Sequence, residues 1–156
     1  MSDYYTLSDA VPDIFDDVRT FHIATNSPVL TSPQIPPADR IKLREKLINE
    51  EHTELMDAIK ENDLVKIIDG IGDLIYVLTG TALEYGLPLN TVWNLIQSAN
   101  MAKVNPETGK VVYNEYNKVM KPEGWTKPDI QIEKLINSLI EEKIIQCLLF
   151  MKSTNF

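Results

Sequence analysis

The sequence of 156 residues contains one cysteine, Cys147, and only two histidines. A single cysteine cannot form an intramolecular disulfide, and the chain has no Cys/His cluster of the kind that binds structural zinc. No apolar run approaches the ~20 residues that a membrane-spanning helix needs. Residues 1–5 lack the basic and apolar regions of a secretory signal. We therefore expect a cytoplasmic protein that does not bind membranes.

Basic residues are also scarce, because 15 Lys and Arg stand against 23 Asp and Glu, which gives a formal net charge of -8. A surface of this sign repels a phosphate backbone, so a nucleic acid polymer is not expected as a partner. Apolar residues make up 44% and charged residues 24%, the balance of a globular protein. At this length we expect one domain over residues 1–156.

Apolar residues at helical spacing predict five helices, over residues 11–25, 39–61, 64–85, 90–103 and 130–151. Asp9, Asp39 and Asn90 are candidate N-caps, and Gly86 is a candidate C-cap. Four prolines predict a stiff connector between the first two helices. The segment 104–129 predicts an irregular loop or a short hairpin. The predicted fold class is all-α, a helical bundle of four core helices plus a C-terminal helix.

The second helix carries carboxylates on its apolar side. Glu51 and Glu54 fall inside the apolar arc and Glu50 lies at its edge, whereas most lysines of this helix lie on the opposite face. We therefore expect these carboxylates to point toward the core.

The third helix repeats this pattern with two aspartates. Asp69 and Asp73 are four residues apart, hence on one face, in a segment that is otherwise apolar nearly all round. Such a segment is typical of a buried helix. Gly70 and Gly72 weaken a helix by ~1 kcal/mol each relative to Ala, and close helix packing is the expected reason for them.

Two acidic faces on consecutive helices are expected to meet in an antiparallel pair. A hard divalent cation such as Mg²⁺ binds carboxylate oxygens, water and phosphate oxygens, and would neutralise them. The alternative is that Glu50, Glu51 and Glu54 belong to an ordinary charged helix surface and pair with Lys and Arg. The two aspartates within an apolar helix favour the metal site.

The segments INEEHTEL (residues 48–55) and IDGIGDLIYV (residues 68–77) resemble the all-α nucleoside triphosphate pyrophosphatases. These are the MazG-type and phosphoribosyl-ATP pyrophosphohydrolase-like proteins, including the dimeric dUTPase-like branch. The resemblance extends from about Val18 to Ile130 and includes Phe21-His22 and the segment 100–103. It implies a Mg²⁺ site, with Mn²⁺ as a substitute, in a homodimer or homotetramer. It also implies a hydrolase that cleaves a phosphoric anhydride, splitting a (d)NTP between the α and β phosphates in a house-cleaning or dUTPase-like role.

The resemblance assigns Glu51, Glu54 and Asp73 as metal ligands and Glu50 as a ligand or the base that activates water. The usual second motif has an acid at position 70, where this chain has Gly70, so Asp69 is the candidate substitute. The candidate substrate contacts are His22, Tyr76, Asn100, Lys103, Lys121 and Trp125. Tyr76 lies on the face of the aspartates and is also a candidate to order a ligand carboxylate. Each of the other five has a structural alternative. A second hypothesis is a non-catalytic helical oligomer that binds metal or nucleotide as a sensor or structural protein.

Overall fold

The computed structural model describes residues 13–153 and contains five helices. They are α1 (Ile14–Ala24), α2 (Ala38–Glu61), α3 (Leu64–Glu84), α4 (Leu89–Met101) and α5 (Asp129–Ser153). The all-α prediction is confirmed, and the predicted bounds agree to within a few residues. The candidate cap Asp9 lies outside the described residues.

Aspartate side chains cap the N-termini of α1 and α3. Asp13 accepts hydrogen bonds from the backbone of Phe15 and Asp16, and Asp63 accepts from Val65 and Lys66.

The predicted caps of α2 and α4 are wrong. Asp39 and Asn90 lie in the first turns of these helices, and Pro37 and Pro88 occupy the N-cap positions without a side-chain hydrogen bond. A proline has no N–H and a restricted φ, so it is tolerated where a helix begins. Each proline N-cap lies two residues before the polar residue that the sequence indicated as the cap.

The chain forms two compact units, one ending at Gly86 and the other beginning at Leu87. In the first unit, α2 and α3 are antiparallel, since Arg40 hydrogen bonds to Glu84 while Gly70 lies against Leu55. The helix α1 packs on α3, and the Phe21 and Tyr76 rings meet edge to face at 5.8 Å. The buried apolar side chains of this unit include Val18, Ala58, Ala82 and Leu83.

The proline-rich connector between α1 and α2 packs along the C-terminal end of α3. The backbone N–H of Leu30 donates to the Leu83 carbonyl at 2.9 Å, and that of Gln34 donates to the Tyr85 carbonyl at 3.1 Å. Gly86, just after α3, adopts a left-handed conformation with a φ of 64°. Any Cβ at this position would collide with the Ser32 backbone, so glycine is required for both conformation and space.

A buried ionic network joins α2 to the C-terminal half of α3. Glu84 is completely buried and accepts from Arg40 Nε at 2.9 Å and Nη2 at 2.6 Å. Arg44, also buried, donates from Nη1 to Glu84 at 3.5 Å, from Nε to Thr81 at 3.0 Å, and to the Val77 carbonyl. Burial lowers the pKa of Arg44, whereas the hydrogen bond to Glu84 raises the pKa of Arg40. The network fixes the register of α2 against α3.

The helical glycines of α3 differ in what surrounds them. A Cβ at Gly70 would lie 3.2 Å from Leu55 Cα, and a Cβ at Gly80 would lie 2.7 Å from His22 Nε2 and 3.0 Å from Arg44 Nη2. A Cβ at Gly72 would meet nothing within 4 Å. The packing explanation is therefore confirmed for Gly70 and wrong for Gly72.

The expectation that α3 is buried on all sides is wrong for this chain. Ile68 is 66% exposed, and Ile71, Ile75 and Leu78 are also exposed. Within its unit α3 contacts α1 and α2, which together cover only part of its circumference.

The second unit contains α4, α5 and the loop between them. Tyr113 and Val119 form an isolated antiparallel bridge, supported by a hydrogen bond from the Met120 N–H to the Val112 carbonyl at 2.7 Å. The turn passes through Asn117, whose φ is 55°. This bridge is the short hairpin that the loop sequence predicted. No helix among residues 13–153 combines the length and hydropathy needed to cross a membrane.

Candidate functional site

An acidic groove runs between α2 and α3 and has a volume of about 250 Å³. Antiparallel packing brings carboxylates of both helices to its walls. Of the predicted metal ligands, Glu54, Asp69 and Asp73 line the groove, whereas Glu50 and Glu51 do not. Eight residues line it: Glu54, Asp57, Ala58, Glu61, Lys66, Asp69, Gly70 and Asp73. Gly70 and Ala58 contribute little side-chain volume, so the space between the helices is open to the carboxylates.

The carboxylates lie at an open surface and not in the core. Glu54, Asp69 and Asp73 are exposed and Glu51 is half-buried, so the expectation that they point into the core is wrong. The apolar arc of α2 is in contact with α3 along only part of its width, and the carboxylates occupy the part that remains open. Their solvation removes the cost of burying unpaired charge.

Among the described residues that line the groove, Lys66 is the only cation, and acidic side chains already hold it. Lys66 Nζ lies 2.7 Å from Glu61 Oε2 and 4.0 Å from Asp63 Oδ2. Among residues 13–153, no Lys or Arg nitrogen lies within 4.0 Å of the carboxylates of Glu54, Asp69 or Asp73. These three groups are therefore available to a cation from solution.

Glu50 lies away from the groove. It is exposed and lines a shallow surface with Lys46, Asn49, Thr53 and Glu54. Its Oε1 atom lies 3.3 Å from Lys46 Nζ. For this one residue the structure shows the ordinary surface ion pair that the sequence left open as an alternative.

The environment of Glu51 raises the pKa of its carboxyl. Desolvation raises the pKa of its carboxyl, and repulsion from Asp73, Glu54, Glu50 and Asp69 raises it further. The five acids singled out in the sequence therefore share one local field. A bound cation would reverse this effect by favouring the ionised carboxylates.

The donor chemistry of the groove fits a hard divalent cation. Glutamate and aspartate oxygens are the ligands that Mg²⁺ binds, usually with one or two carboxylates and several waters. Among residues 13–153, however, no three His, Cys, Asp or Glu side chains are arranged so that they could already hold a metal ion. Binding would require carboxylate side chains to turn toward a common point, which exposed groups can do.

His22 and Tyr76 meet in a different cavity of the first unit, with a volume of about 220 Å³. Arg40 and Arg44 also line it. His22 is buried and its Nδ1 lies 3.1 Å from the Pro28 carbonyl, so Nδ1 carries the proton in this contact. Among the hydrogen bonds of residues 13–153, none joins Tyr76 to a carboxylate; its ring contacts Phe21 instead.

The remaining candidates lie together in the second unit. Lys103 Nζ donates to Asn100 Oδ1 at 2.8 Å. Trp125 Nε1 donates to the Ala99 carbonyl at 2.7 Å, which fixes its indole against α4. The ring of Trp125 faces both Lys103 and Lys121. These contacts are those expected of a tryptophan that holds the loop in place.

Two groove residues were missed by the sequence reasoning. Asp57 and Glu61 line the groove beside Glu54. They follow it by three and seven residues, which is the spacing of one helix face. Extending the acidic face of α2 beyond Glu54 would have found them.

Comparison with known proteins places this geometry in context. The family model described as phosphoribosyl-ATP pyrophosphohydrolase matches residues 18–100, which is more than half of the chain. The match includes both acidic helices.

A curated relative and a solved structure are also similar to this chain. A stretch of 50 residues is 46% identical to the uncharacterized protein L479 of Acanthamoeba polyphaga mimivirus; the stretch is 32% of this chain and 20% of that protein. The chain thus spans about a fifth of the relative's length. A crystal structure from Exiguobacterium sp. 255-15, of a protein proposed to be an NTP pyrophosphohydrolase, is 26% identical. The similarity covers 86% of this chain and 99% of that one, with a TM-score of 0.47.

Proposed function

Because the chain belongs to the phosphoribosyl-ATP pyrophosphohydrolase family, we propose that it hydrolyses a nucleoside triphosphate between the α and β phosphates with the help of Mg²⁺. The products are a nucleoside monophosphate and pyrophosphate. Family membership gives the coarse class, a pyrophosphohydrolase that acts on a phosphoric anhydride. The metal, the substrate and the residue roles are proposals.

The observation that carries the proposal is the acidic groove. Glu54, Asp69 and Asp73 line it without a basic partner, and Glu51 shares their electrostatic field. We propose that these four carboxylates hold the cation, and Mn²⁺ could replace Mg²⁺ because both accept oxygen ligands. When bound, the cation supplies charge neutralisation for the phosphate oxygens and acidifies a bound water.

The protein's own residues position the anhydride and accept a proton. The carboxylates of α2 and α3 stand on opposite walls of the groove, so together they can orient a cation-bound triphosphate. A water attacks the phosphorus in line with the leaving group, and one glutamate oxygen takes its proton. Glu50 is the proposed acceptor, for which its carboxylate must leave Lys46 and turn toward the groove. His22 and Tyr76 are proposed to contact the nucleoside.

The proposal is tested by pyrophosphate release with Mg²⁺ from a panel of ribo- and deoxyribonucleoside triphosphates, dUTP included. The kcat of Asp73→Asn should be at least about 100-fold lower than that of the wild type, because the substitution removes a negative charge from the cation site. Glu50→Gln should lose about 100-fold or more if Glu50 accepts the proton. Glu45→Gln, an exposed change on the same helix, is the control and should retain activity.

Helical circular dichroism must be unchanged in all three variants. Full turnover by both Asp73→Asn and Glu50→Gln would contradict the proposed mechanism. Loss of pyrophosphate release in Asp73→Asn alone would support the metal site. It would also show that Glu50 is a surface partner of Lys46 and not the proton acceptor.

The second candidate is a non-catalytic helical oligomer that binds metal or nucleotide. It is favoured by Gly70, which stands where the second acidic motif of the family has an acid. It predicts that Mg²⁺ raises the melting temperature while no triphosphate in the panel is hydrolysed. A metal at about 100 times its Kd adds about 2.7 kcal/mol to the free energy of unfolding, so the shift is measurable.

We also propose that the protein is a homodimer or homotetramer. The exposed apolar residues of α3 are a candidate contact, since burying them between copies would remove them from water: Ile68, Ile71, Ile75 and Leu78. Light scattering after size exclusion measures the mass of the particle. A mass of 17.7 kDa, that of one chain, would contradict this part of the proposal.

A further inference from the structure

A cavity of about 320 Å³ lies in the second unit, between the end of α4 and the loop that follows. We call it the lysine pocket. Its cationic residues are Lys103, Lys110 and Lys121, and its apolar wall includes Val104, Val112 and Met120. The volume falls in the range of about 300–1,000 Å³ that is typical of small-molecule sites.

In the part of the chain that the structure describes, the three ammonium groups of the pocket lack acidic partners. None of the described residues that line the cavity is a carboxylate. Among residues 13–153, no carboxylate oxygen lies within 4.0 Å of Lys103, Lys110 or Lys121. In a chain with a net charge of -8, three unneutralised lysines around one cavity form a local site of opposite sign, and an anion there would be attracted by all three.

The ring of Trp125 contacts the ammonium groups of two of the pocket lysines. Its Nε1–H is fixed by the Ala99 carbonyl. Lys121 Nζ lies 4.5 Å and Lys103 Nζ 5.3 Å from the ring centroid, within the range of cation–π attraction. Lys103 lies two residues after α4, and Lys121 lies two residues after Val119 of the bridge. A single aromatic ring therefore contacts two cations that are 18 residues apart in the sequence.

We propose that the lysine pocket is a metal-independent binding site for a polyphosphate anion, in which Trp125 is a positioning residue for Lys103 and Lys121. Lysine is a common point-charge ligand for phosphate. The anion has two sources, free pyrophosphate and the phosphate tail of a nucleoside triphosphate. The proposal does not rest on hydrolysis, because binding without divalent metal requires no turnover.

The experiment uses tryptophan fluorescence of the full chain. The chain has two tryptophans, so the exposed Trp93 is replaced by Phe to leave Trp125 as the reporter. Pyrophosphate is titrated in EDTA, and a saturable change in Trp125 fluorescence is expected. Lys110→Gln should raise the Kd about five- to tenfold, the effect of removing one charged partner. Lys127→Gln, the same change on an exposed loop lysine outside the pocket, should change it less than about twofold.

Calorimetric titration of chains that retain Trp93 tests the role of Trp125. Trp125→Phe keeps an aromatic face and should bind pyrophosphate more tightly than Trp125→Leu, with helical circular dichroism unchanged in both. Equal affinity of these two variants would overturn the positioning role. Equal weakening by Lys110→Gln and Lys127→Gln, or no saturable pyrophosphate binding, would overturn the site itself.

The ligand source is separated by comparison in EDTA. Pyrophosphate that binds as tightly as a nucleoside triphosphate identifies the inorganic anion as sufficient, whereas tighter triphosphate binding identifies the nucleotide tail. AMP that binds equally well would overturn the preference for polyphosphate. Asp73→Asn should retain pyrophosphate binding in EDTA even if it abolishes turnover, so failure of the proposed hydrolysis and failure of this site are distinguished.

Discussion

Gly72→Ala should raise the free energy of unfolding, whereas Gly80→Ala should leave it unchanged or lower it. Both glycines lie within α3, where Ala is favoured over Gly by about 1 kcal/mol. At Gly72 a Cβ meets nothing within 4 Å, so Gly72→Ala should raise the free energy of unfolding by about 0.5–1 kcal/mol.

At Gly80 the added methyl group meets two side chains that cannot easily move. It would lie 2.7 Å from His22 Nε2 and 3.0 Å from Arg44 Nη2. His22 is held by the Pro28 carbonyl, and Arg44 by Glu84 and other groups of α3. Overpacking of this kind costs about 1–3 kcal/mol, which offsets the gain in helix propensity or exceeds it.

Urea unfolding, followed by circular dichroism, measures the pair under identical conditions. With a slope of about 2 kcal/mol/M, Gly80→Ala should unfold about 0.5–1.5 M earlier than Gly72→Ala. Equal midpoints would refute the reasoning, because they would mean that His22 and Arg44 yield to the methyl group without cost. A Gly72→Ala variant less stable than the wild type would show that its Cβ is not in open space.

Two further predictions concern charge. Glu84→Gln should lower the free energy of unfolding by about 3–5 kcal/mol, because it leaves Arg40 and Arg44 without their buried anion; Glu61→Gln, which breaks an exposed pair, should cost less than about 1 kcal/mol, and similar urea midpoints would contradict this. Because the pKa of Glu51 is raised, the folded state binds more protons than the unfolded state between the ordinary and the raised pKa, so stability without divalent metal should fall as pH rises through that window. Glu51→Gln should flatten this part of the urea midpoint's pH dependence, and an unchanged slope would exclude Glu51 as its source.

The periodicity of apolar residues was sufficient to predict the helices and their order. Strong local signals gave the α2–α3 break at Asn62-Asp63, where Asn62 adopts a φ of 55° and Asp63 caps the next helix. The same local reasoning failed at Asp39 and Asn90, because a preceding proline is also compatible with a helix start. Helix ends depend on such close competition, whereas helix existence depends on many residues together.

The acidic site was predictable only in part. Asp69 and Asp73 share a face by helical geometry alone, and pairing with α2 followed from the short break between the helices. Lys46 and Glu50 are neighbours on one face of α2, and whether that face turns toward the groove depends on the rotation of α2 about its axis. That rotation is set by contacts such as Gly70 against Leu55, which no local pattern contains.

The sequence by itself determined the helical class, the acidic faces of α2 and α3 and the resemblance to a pyrophosphohydrolase family, because helical periodicity and short motifs are local properties. Tertiary structure alone decided that the carboxylates lie in an open groove and that Glu84 neutralises Arg40 and Arg44. It also decided that Trp125 brings Lys103 and Lys121 together. Each of these arrangements depends on side chains that are separated in the sequence and meet only when the helices and the loop pack. Packing therefore fixes which charges surround each side chain.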